Sequence, residues 1–429
     1  MSLLRIVRTS ASGFWAIAMA SLGAVLLFSA SASAASGTWK GANTDALWAT
    51  ATNWNGGVPN ALSDSATFTG ASGAGGAVLT SGTISLNTLL FSSTAAAYTI
   101  GGAAAGTGQV TLADSGNITV NSTVANNETI NANLILGTAT SSSYTLNNGS
   151  TTNPLMFGGS IKGGSGGTAG NKTLTIAGAG NTTIGGNITA GGSSGIVVTD
   201  TSGGTLALTG VSTILTLNVN GGAGSVVNLT GGNITFNNAG LGTFQSSAGG
   251  TVSGGTVTVT TGVAGDYGDF GAASGGTLTI NSTIAGSAGI GIDFYNGSAG
   301  GTTVLTGSNT FSGPADIFQQ TVVVSSIGNG GSVGNLGTNA TIQMGLNGVT
   351  GTLKYTGTGE TNNRVINLHG TTGGAALDQS GTGLLKFTGS LTAATAGAKT
   401  LTLQGSTAGS GELAGAIVDS GGGATSVSK

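Results

Sequence analysis

Short segments along most of the chain alternate apolar or β-branched residues with Thr, Ser or Asn. Each segment is a few residues long and is bounded by Gly or Asn; examples are Gln109–Leu112, Asn117–Val120, Thr173–Ile176, Thr256–Thr260, Thr277–Ile280 and Thr400–Leu403. A period of two places neighbouring side chains on opposite faces of a strand, one face buried and the other wet. No stretch beyond residue 34 has helical periodicity, and Gly, Thr, Ser and Asn are weak helix formers. The pattern predicts an all-β protein.

A recurrent phrase, Gly-Gly-Thr-[Leu/Val]-x-[Leu/Val/Ile], predicts how these strands are arranged. It occurs at Gly203–Leu208, Gly254–Val259 and Gly275–Ile280. The step between the last two copies indicates a period near 20, which predicts a single-stranded parallel β-helix, or β-solenoid. Coils of about 20 residues, stacked about 4.8 Å apart, would give roughly 18–20 coils and a rod on the order of 90 Å. The alternative is an array of β-sandwiches, which would show longer strands in units of ~100 residues.

The stretch 1–34 has the features of a signal peptide. Arg5 and Arg8 form a basic n-region, Phe14–Ala30 is apolar, and Ala32–Ala34 has the A-x-A pattern that signal peptidase cleaves. No twin arginine is present, so export by the general secretory route is expected. The alternative is a retained anchor, because about 17 apolar residues are just enough to span a bilayer. We expect no transmembrane segment in the mature chain.

The composition excludes several classes of protein. Of the 429 residues, 84 are Gly, 10 are Lys or Arg, 13 are Asp or Glu, and none is Cys. Without Cys there is no disulfide scaffold, thiolate metal site or cysteine nucleophile. So few basic residues do not form a nucleic-acid surface. Few charges combined with 38% hydrophobic residues also differ from the composition of disordered chains.

Two stretches carry a resemblance to a known family. Near the predicted mature N-terminus the spacing is Trp39-x8-Trp48-x5-Trp54-x4-Pro59-x4-Asp64-x3-Phe68, and Gly301–Gly313 reads GTTVLTGSNTFSG. With these motifs the chain resembles the autotransporter-associated β-strand repeat proteins. The resemblance implies a large right-handed β-helix, secreted or exposed on the surface of Gram-negative-type bacteria. It extends loosely over the whole mature chain.

The resulting domain prediction has three parts: a signal peptide at 1–34, an N-terminal cap segment with a Trp cluster at 35–70, and a β-helix repeat region at 71–429. The tryptophans are predicted to cover the exposed end of the first coil. The alternative is an aromatic platform that stacks on sugar rings. Family members end in a β-barrel or a short sorting tail, whereas the end of this chain reads as a lead into another coil. We therefore expect a truncated chain or a fragment of a longer protein.

Few residues offer catalytic chemistry. Asp266 and Asp269 are the closest carboxylate pair, and Asp293 follows about one coil further along the chain. Polysaccharide-cleaving β-helices use grouped aspartates, normally with basic residues nearby, but here the nearest basic residues along the chain are distant. The single histidine, His369, is predicted to lie in a surface loop rather than to act as a general base. No metal-binding or cofactor-binding residues are expected.

The 13 acids are scattered singly, whereas enzymes concentrate unusual charged residues in one groove. We therefore predict an exported, structural or adhesin-like β-solenoid rod without catalytic activity, secreted or on the outer surface, or periplasmic if no translocator exists. The alternative is a carbohydrate-active hydrolase or lyase that uses Asp266, Asp269 and Asp293. The expected partners are a cell-surface or extracellular polysaccharide or sister molecules. No nucleic acid and no small-molecule cofactor is expected.

Overall fold

The computed structural model describes residues 34–41, 45–70, 76–137, 141–164, 170–237, 244–260, 266–297, 299–405 and 409–429. The predicted signal peptide lies outside these residues except for Ala34. Regular structure in the described part consists of forty strands and one 3₁₀ turn, Ala51–Asn53.

The strands are numbered in chain order. The first twenty are β1 Ser36–Trp39, β2 Trp54–Gly56, β3 Ser65–Phe68, β4 Gly76–Val78, β5 Thr83–Phe91, β6 Tyr98–Ile100, β7 Gln109–Val120, β8 Glu128–Ile130, β9 Asn133–Leu136, β10 Ser142–Asn148, β11 Leu155–Phe157, β12 Ile161–Lys162, β13 Asn171–Ala177, β14 Thr182–Ile184, β15 Ile188–Thr189, β16 Gly195–Asp200, β17 Thr205–Leu208, β18 Val211–Ile214, β19 Thr216–Val219 and β20 Val226–Asn228. The remaining twenty are β21 Asn233–Phe236, β22 Phe244–Ser246, β23 Gly250–Ser253, β24 Thr256–Val259, β25 Tyr267–Ala272, β26 Thr277–Ile280, β27 Thr283–Gly286, β28 Gly291–Phe294, β29 Thr302–Leu305, β30 Ala315–Ile317, β31 Thr321–Val324, β32 Thr341–Met344, β33 Gly351–Tyr355, β34 Glu360–Asn362, β35 Val365–Leu368, β36 Gly374–Gln379, β37 Leu384–Phe387, β38 Lys399–Gln404, β39 Ser410–Leu413 and β40 Thr425–Ser428.

These strands form the three sides of a solenoid, and the chain visits the sides in the same order from coil to coil. Side A runs from β1 and β3 to β35 and includes β10, β13, β16, β25, β28, β30 and β32. Side B is a 15-stranded sheet from β4 to β40, and side C includes β9, β12, β18, β21, β24, β34 and β37. Strands on one side pair in parallel from coil to coil. The predicted all-β fold and parallel β-solenoid are confirmed.

The alternation seen in the sequence sets what faces the core. In β26, Leu278 and Ile280 are fully buried, while the Thr residues between and before them face outward. Ile280 pairs in register with Val252 of one neighbouring coil and Leu305 of the other. Each such side chain contributes about 1.5–3 kcal/mol by burial. The core is therefore a continuous stack of aliphatic rows along the inside of the three sides.

The coils are longer than the repeated phrase predicted. Side B runs from β4 to β40, and single turns on it vary from the short step between Leu305 and Val324 to the long step between Val324 and Tyr355. The phrase at 254 begins a side C strand, but the phrase at 275 begins a side B strand. The step between these two copies is therefore one side short of a full turn. Fourteen steps of about 4.8 Å give a stack of about 70 Å rather than about 90 Å.

Three tryptophans pack over the beginning of this core. Trp39, Trp48 and Trp54 are at most 2% exposed, and the ring of Trp54 lies 5.1 Å from that of Trp39 and 4.7 Å from that of Trp48. Their rings continue into Phe68 of the first coil. The indole of Trp48 donates to the carbonyl of Pro59 at 2.7 Å. Such buried rings offer no open face to a sugar.

The first strand also has both of its edges paired. Gly37 of β1 pairs with Ala66 of β3 in the parallel stack and with Gly56 of β2 in an antiparallel pair. An unpaired strand edge invites association with other chains. The antiparallel β2 covers the edge of β1 that lies away from β3. This arrangement supports the interpretation of 35–70 as a cap, which stays a prediction.

Candidate functional site

Three consecutive strands of side A each place one aspartate on the outer face. Asp269 of β25 pairs in register with Asp293 of β28, which pairs with Asp316 of β30. The flanking core residues Phe270, Phe294 and Ile317 are fully buried, so the aspartates form an outward row between them. The same row continues as the amides of Gln343 and Asn367 in the next two coils. We call Asp269, Asp293 and Asp316 the aspartate row.

The aspartate row is enclosed although it faces outward. Asp316 is only 2% exposed, and one carboxyl oxygen of Asp293 and one of Asp316 have no hydrogen-bond donor among the described residues. The two carboxyl groups are in hydrogen-bond contact with each other. Burial raises the pKa of both groups, and the charges of Asp316 and Asp269 raise that of Asp293 further. Folding therefore favours at least one protonated carboxyl in the row.

Tyr267, two residues before Asp269 on the first strand of the row, covers the row. Its ring lies across Gly291, where an added Cβ would come within 2.4 Å of the ring. Only glycine leaves this space, so Gly291 determines the path of the tyrosine side chain. The Tyr267 hydroxyl donates to Asp316 and also contacts Gln343. Burial, followed by the charges of Asp316 and Asp293, raises the pKa of Tyr267 to about 12.

The structure brings together two of the three predicted acids and adds one that the sequence analysis missed. Asp269 and Asp293 are direct neighbours, whereas Asp266 precedes β25 and lies outside the row. Asp316 is the missed member. Its signal was present in the sequence, because Asp-Phe at 269 and 293 is followed at a nearly equal step by Asp-Ile at 316.

His369 lies at a corner of the solenoid just after β35. Its imidazole is half-buried and stacks on the ring of Phe318, with centroids 6.0 Å apart and planes at 23°. Burial lowers the pKa of His369, and the positive charge of Lys399 lowers it further. Its Nδ1 has no hydrogen-bond partner among the described residues. These contacts describe a packed corner residue.

A cavity of about 770 Å³ near the C-terminal end does not include the aspartate row. It is lined by residues such as Leu377, Leu385, Phe387, Leu403 and Leu413. The strands of the row, β25, β28 and β30, contain no Lys, Arg or His. Within the described ranges, no group of three or more His, Asp or Glu side chains is arranged to hold a metal ion.

Comparison with known proteins finds a sequence similarity to an autotransporter. The chain is a β-solenoid whose sequence is similar to that of an autotransporter adhesin. The relative is the Adhesin BmaC autotransporter of Brucella suis biovar 1 (strain 1330), which is 31% identical over 209 residues. The match covers 48% of this chain but 5% of the relative, so the chain spans a small part of that protein. This similarity confirms the resemblance to passenger-like β-helices.

Two other comparisons give no match. No protein-family profile matches the sequence, and no solved structure matches it. In the described part of the chain, no helix has both the length and the apolar character required to cross a membrane.

Proposed function

We propose that this chain is an adhesin-like β-solenoid that is exported and displayed outside the cell. The observation that carries the proposal is the similarity to an autotransporter adhesin over 48% of the chain. A stack of parallel coils also suits this role, because a solenoid offers long, repetitive surfaces for binding. Under this proposal the chain binds through shape and many weak polar contacts and performs no catalysis.

The outer face of side A supports binding to an uncharged, hydroxyl-rich partner. Thr145, Thr175, Thr199 and Asn218 stack in register on four successive coils, all half-buried and without charge. Neighbours in the row contact each other, since the Asn218 amide donates to the Thr199 hydroxyl at 3.2 Å. A row of hydroxyl and amide groups matches the hydrogen-bonding groups of polysaccharides. The partner class we propose is an extracellular polysaccharide or a sister molecule.

A bead-adhesion assay tests the proposed function. Beads coated with the purified chain would be applied to cultured cells, to immobilised neutral polysaccharides and to surfaces coated with the same chain. We expect several-fold more retained beads on at least one surface than for beads coated with the heat-unfolded chain. Retention equal to that control on all three surfaces would refute an adhesin-like role.

A matched pair of variants identifies the side that binds. Thr175→Lys with Thr199→Lys places two charges on side A, whereas Thr235→Lys with Thr258→Lys makes the same change on side C. All four positions are half-buried and outward-facing. We expect the side A variant to lose most of the retention and the side C variant to keep it. Equal effects would place the binding surface elsewhere.

One observation favours the alternative of a polysaccharide-cleaving enzyme, namely the direct neighbourhood of Asp269 and Asp293. The enclosure of Asp316 and of part of Asp293 opposes it, because a catalytic carboxyl must reach its substrate. Incubation with a panel of polysaccharides, followed by measurement of reducing ends and unsaturated products, tests the alternative. Activity that Asp293→Asn abolishes would establish the enzyme in place of the adhesin.

A further inference from the structure

At the centre of the aspartate row, Asp293 and Asp316 place two carboxyl groups side by side on neighbouring coils. Successive coils bring its members to about the inter-strand distance, near 4.8 Å. The strands on both sides supply neutral groups, namely the Tyr267 hydroxyl from β25 and the Gln343 amide from β32. Among the described residues of β25, β28, β30 and β32 there is no basic side chain. The like charges must therefore be relieved in another way.

Hydrogen-bond donors are also missing at the centre of the row. Asp316, whose side chain is almost fully buried, accepts one hydrogen bond from the Tyr267 hydroxyl, but its Oδ1 has no donor among the described residues. The same is true of the Oδ1 atom of Asp293. A buried carboxylate oxygen without a donor loses the hydration it had in water and gains nothing in return. Two carboxyl groups in contact reduce this deficit when one of them is protonated and donates to the other.

We propose that Asp293 and Asp316 share one proton across neighbouring coils and form an acid-stabilised latch on side A. In this latch Asp293 carries the proton and donates a hydrogen bond to Asp316. The Tyr267 hydroxyl of β25 donates a second hydrogen bond to Asp316. The inference concerns the protein's response to pH and goes beyond the proposed adhesive function. It does not depend on that function being correct.

The sign of the response follows from linkage. Burial raises the pKa of both carboxyl groups, with Asp316 and then Asp269 adding charge repulsion at Asp293. The folded state then holds more protons than the unfolded state above the ordinary aspartate pKa of 3.8. Stability from the latch is therefore fully present in acid and is lost as the pH rises through the raised pKa values. Among the described residues, the other titratable groups that interact with the pair are Tyr267 and Asp269, with Asp266 just before them in the chain.

Selective labelling measures the proton directly. The chain contains ten aspartates, so carboxyl-carbon NMR of protein labelled with ¹³C-aspartate gives a small set of titration curves. We expect at least one aspartate of the folded protein to titrate above pH 6, and this curve to disappear in Asp316→Asn. Titration of every aspartate below pH 5 would overturn the proposal without the need for any variant.

Thermal unfolding tests the consequence for stability. In a Glu128→Gln background, which removes a separate buried acid, we expect the melting temperature to fall by roughly 3 °C or more between pH 5 and pH 9. Asp316→Asn supplies a permanent amide donor to Asp293 and should remove most of that fall. Asp378→Asn, the same change at an outward position of side B, should leave it intact.

Two further results would contradict the latch. An equal fall in the melting temperature for Asp316→Asn and Asp378→Asn would mean that the pair does not set the pH response. A rise of several degrees on addition of Ca²⁺ at pH 7.5, lost in Asp316→Asn, would mean that the row binds a cation in place of a proton. Refolded, soluble Asp316→Asn with a native circular-dichroism spectrum is the condition for both comparisons. If that variant does not fold, Asp293→Asn tests the same pair from the other side.

Discussion

Arg364 is a buried cation that holds one long corner of the solenoid, and its replacement by Met tests how that corner is built. The corner is the stretch 325–340 between β31 and β32, part of the longest coil. The side chain of Arg364 is fully buried and donates to four main-chain carbonyls of this stretch, those of Gly328, Leu336, Gly337 and Asn339. The acceptors of these hydrogen bonds are thus all neutral. The guanidinium therefore acts as a central set of donors for one loop.

The neighbouring Glu360 completes the attachment of the same loop. Its carboxylate accepts hydrogen bonds from the main-chain N–H groups of Ile327 at 2.5 Å and Gly328 at 3.3 Å, and from the Ser326 hydroxyl at 3.1 Å. Burial lowers the pKa of Arg364, and the charge of Glu360 opposes that shift. The arginine and the glutamate thus bind the same segment through its carbonyls and its N–H groups.

The cost of Arg364→Met follows from the acceptors left behind. Met fills part of the volume but has no donor, so four carbonyls lose their partner. At about 1 kcal/mol for each acceptor, the free energy of unfolding should fall by about 4 kcal/mol. Lys386→Met is the matched control, because Lys386 pairs with Glu412 at 2.7 Å while their side chains are 31% and 44% exposed. An exposed pair of this kind is worth less than about 1 kcal/mol.

Urea unfolding and limited proteolysis measure the two effects. Solenoids unfold in parts, so proteolysis within 325–340 is the more local readout. We expect Arg364→Met to shift the unfolding midpoint and to accelerate cleavage in this stretch by at least tenfold, with little change for Lys386→Met. Cleavage at the wild-type rate, together with a free energy of unfolding equal to that of the control, would refute the role given to Arg364.

Two other substitutions, one of them with a matched control, test the core and its first coil. Burial raises the pKa of Glu128 to about 8 despite a hydrogen bond from the Tyr98 N–H. The folded protein therefore loses stability as the pH rises from the ordinary glutamate pKa of 4.5 to about 8. Glu128→Gln should therefore raise the melting temperature at pH 9 and change it little at pH 5; equal changes would contradict this. Trp48→Ala should cost about 3–5 kcal/mol in urea unfolding because it opens the aromatic cluster. Leu62→Ala, at a side chain 41% exposed, should cost under about 1 kcal/mol, and similar losses for both would argue against the cap.

The strands could be predicted because each one carries its own signal. In Thr277–Ile280 the alternation alone assigns two side chains to the core and two to the surface, and the structure has the same assignment. Hydrophobic burial acts residue by residue, so a short segment suffices. The length of a coil is different, because the same phrase begins strands on two sides. Nothing within the phrase distinguishes side B from side C.

The attachment of 325–340 could not be predicted from the sequence. The acceptors of Arg364 are carbonyls 25 to 36 residues away, and a carbonyl belongs to every residue. When a buried cation pairs with a carboxylate, the sequence contains two opposite charges that can be matched. When its partners are main-chain carbonyls, the sequence contains no second residue type to match, because the partners depend on the path of the corner.

The aspartate row lies between these two cases. Closeness along the chain points to Asp266 and Asp269, and one coil step leads from them to Asp293. In a parallel solenoid, the neighbour of a side chain lies one coil away in each direction, so the same step must be applied again. It reaches Asp316, which pairs in register with Asp293. A search for acids repeated at the step from Asp269 to Asp293 would have found the row. The shorter period of the repeated phrase does not connect these three aspartates. The missed acid and the underestimated coil length therefore have one cause, the use of a spacing between two different sides of the solenoid.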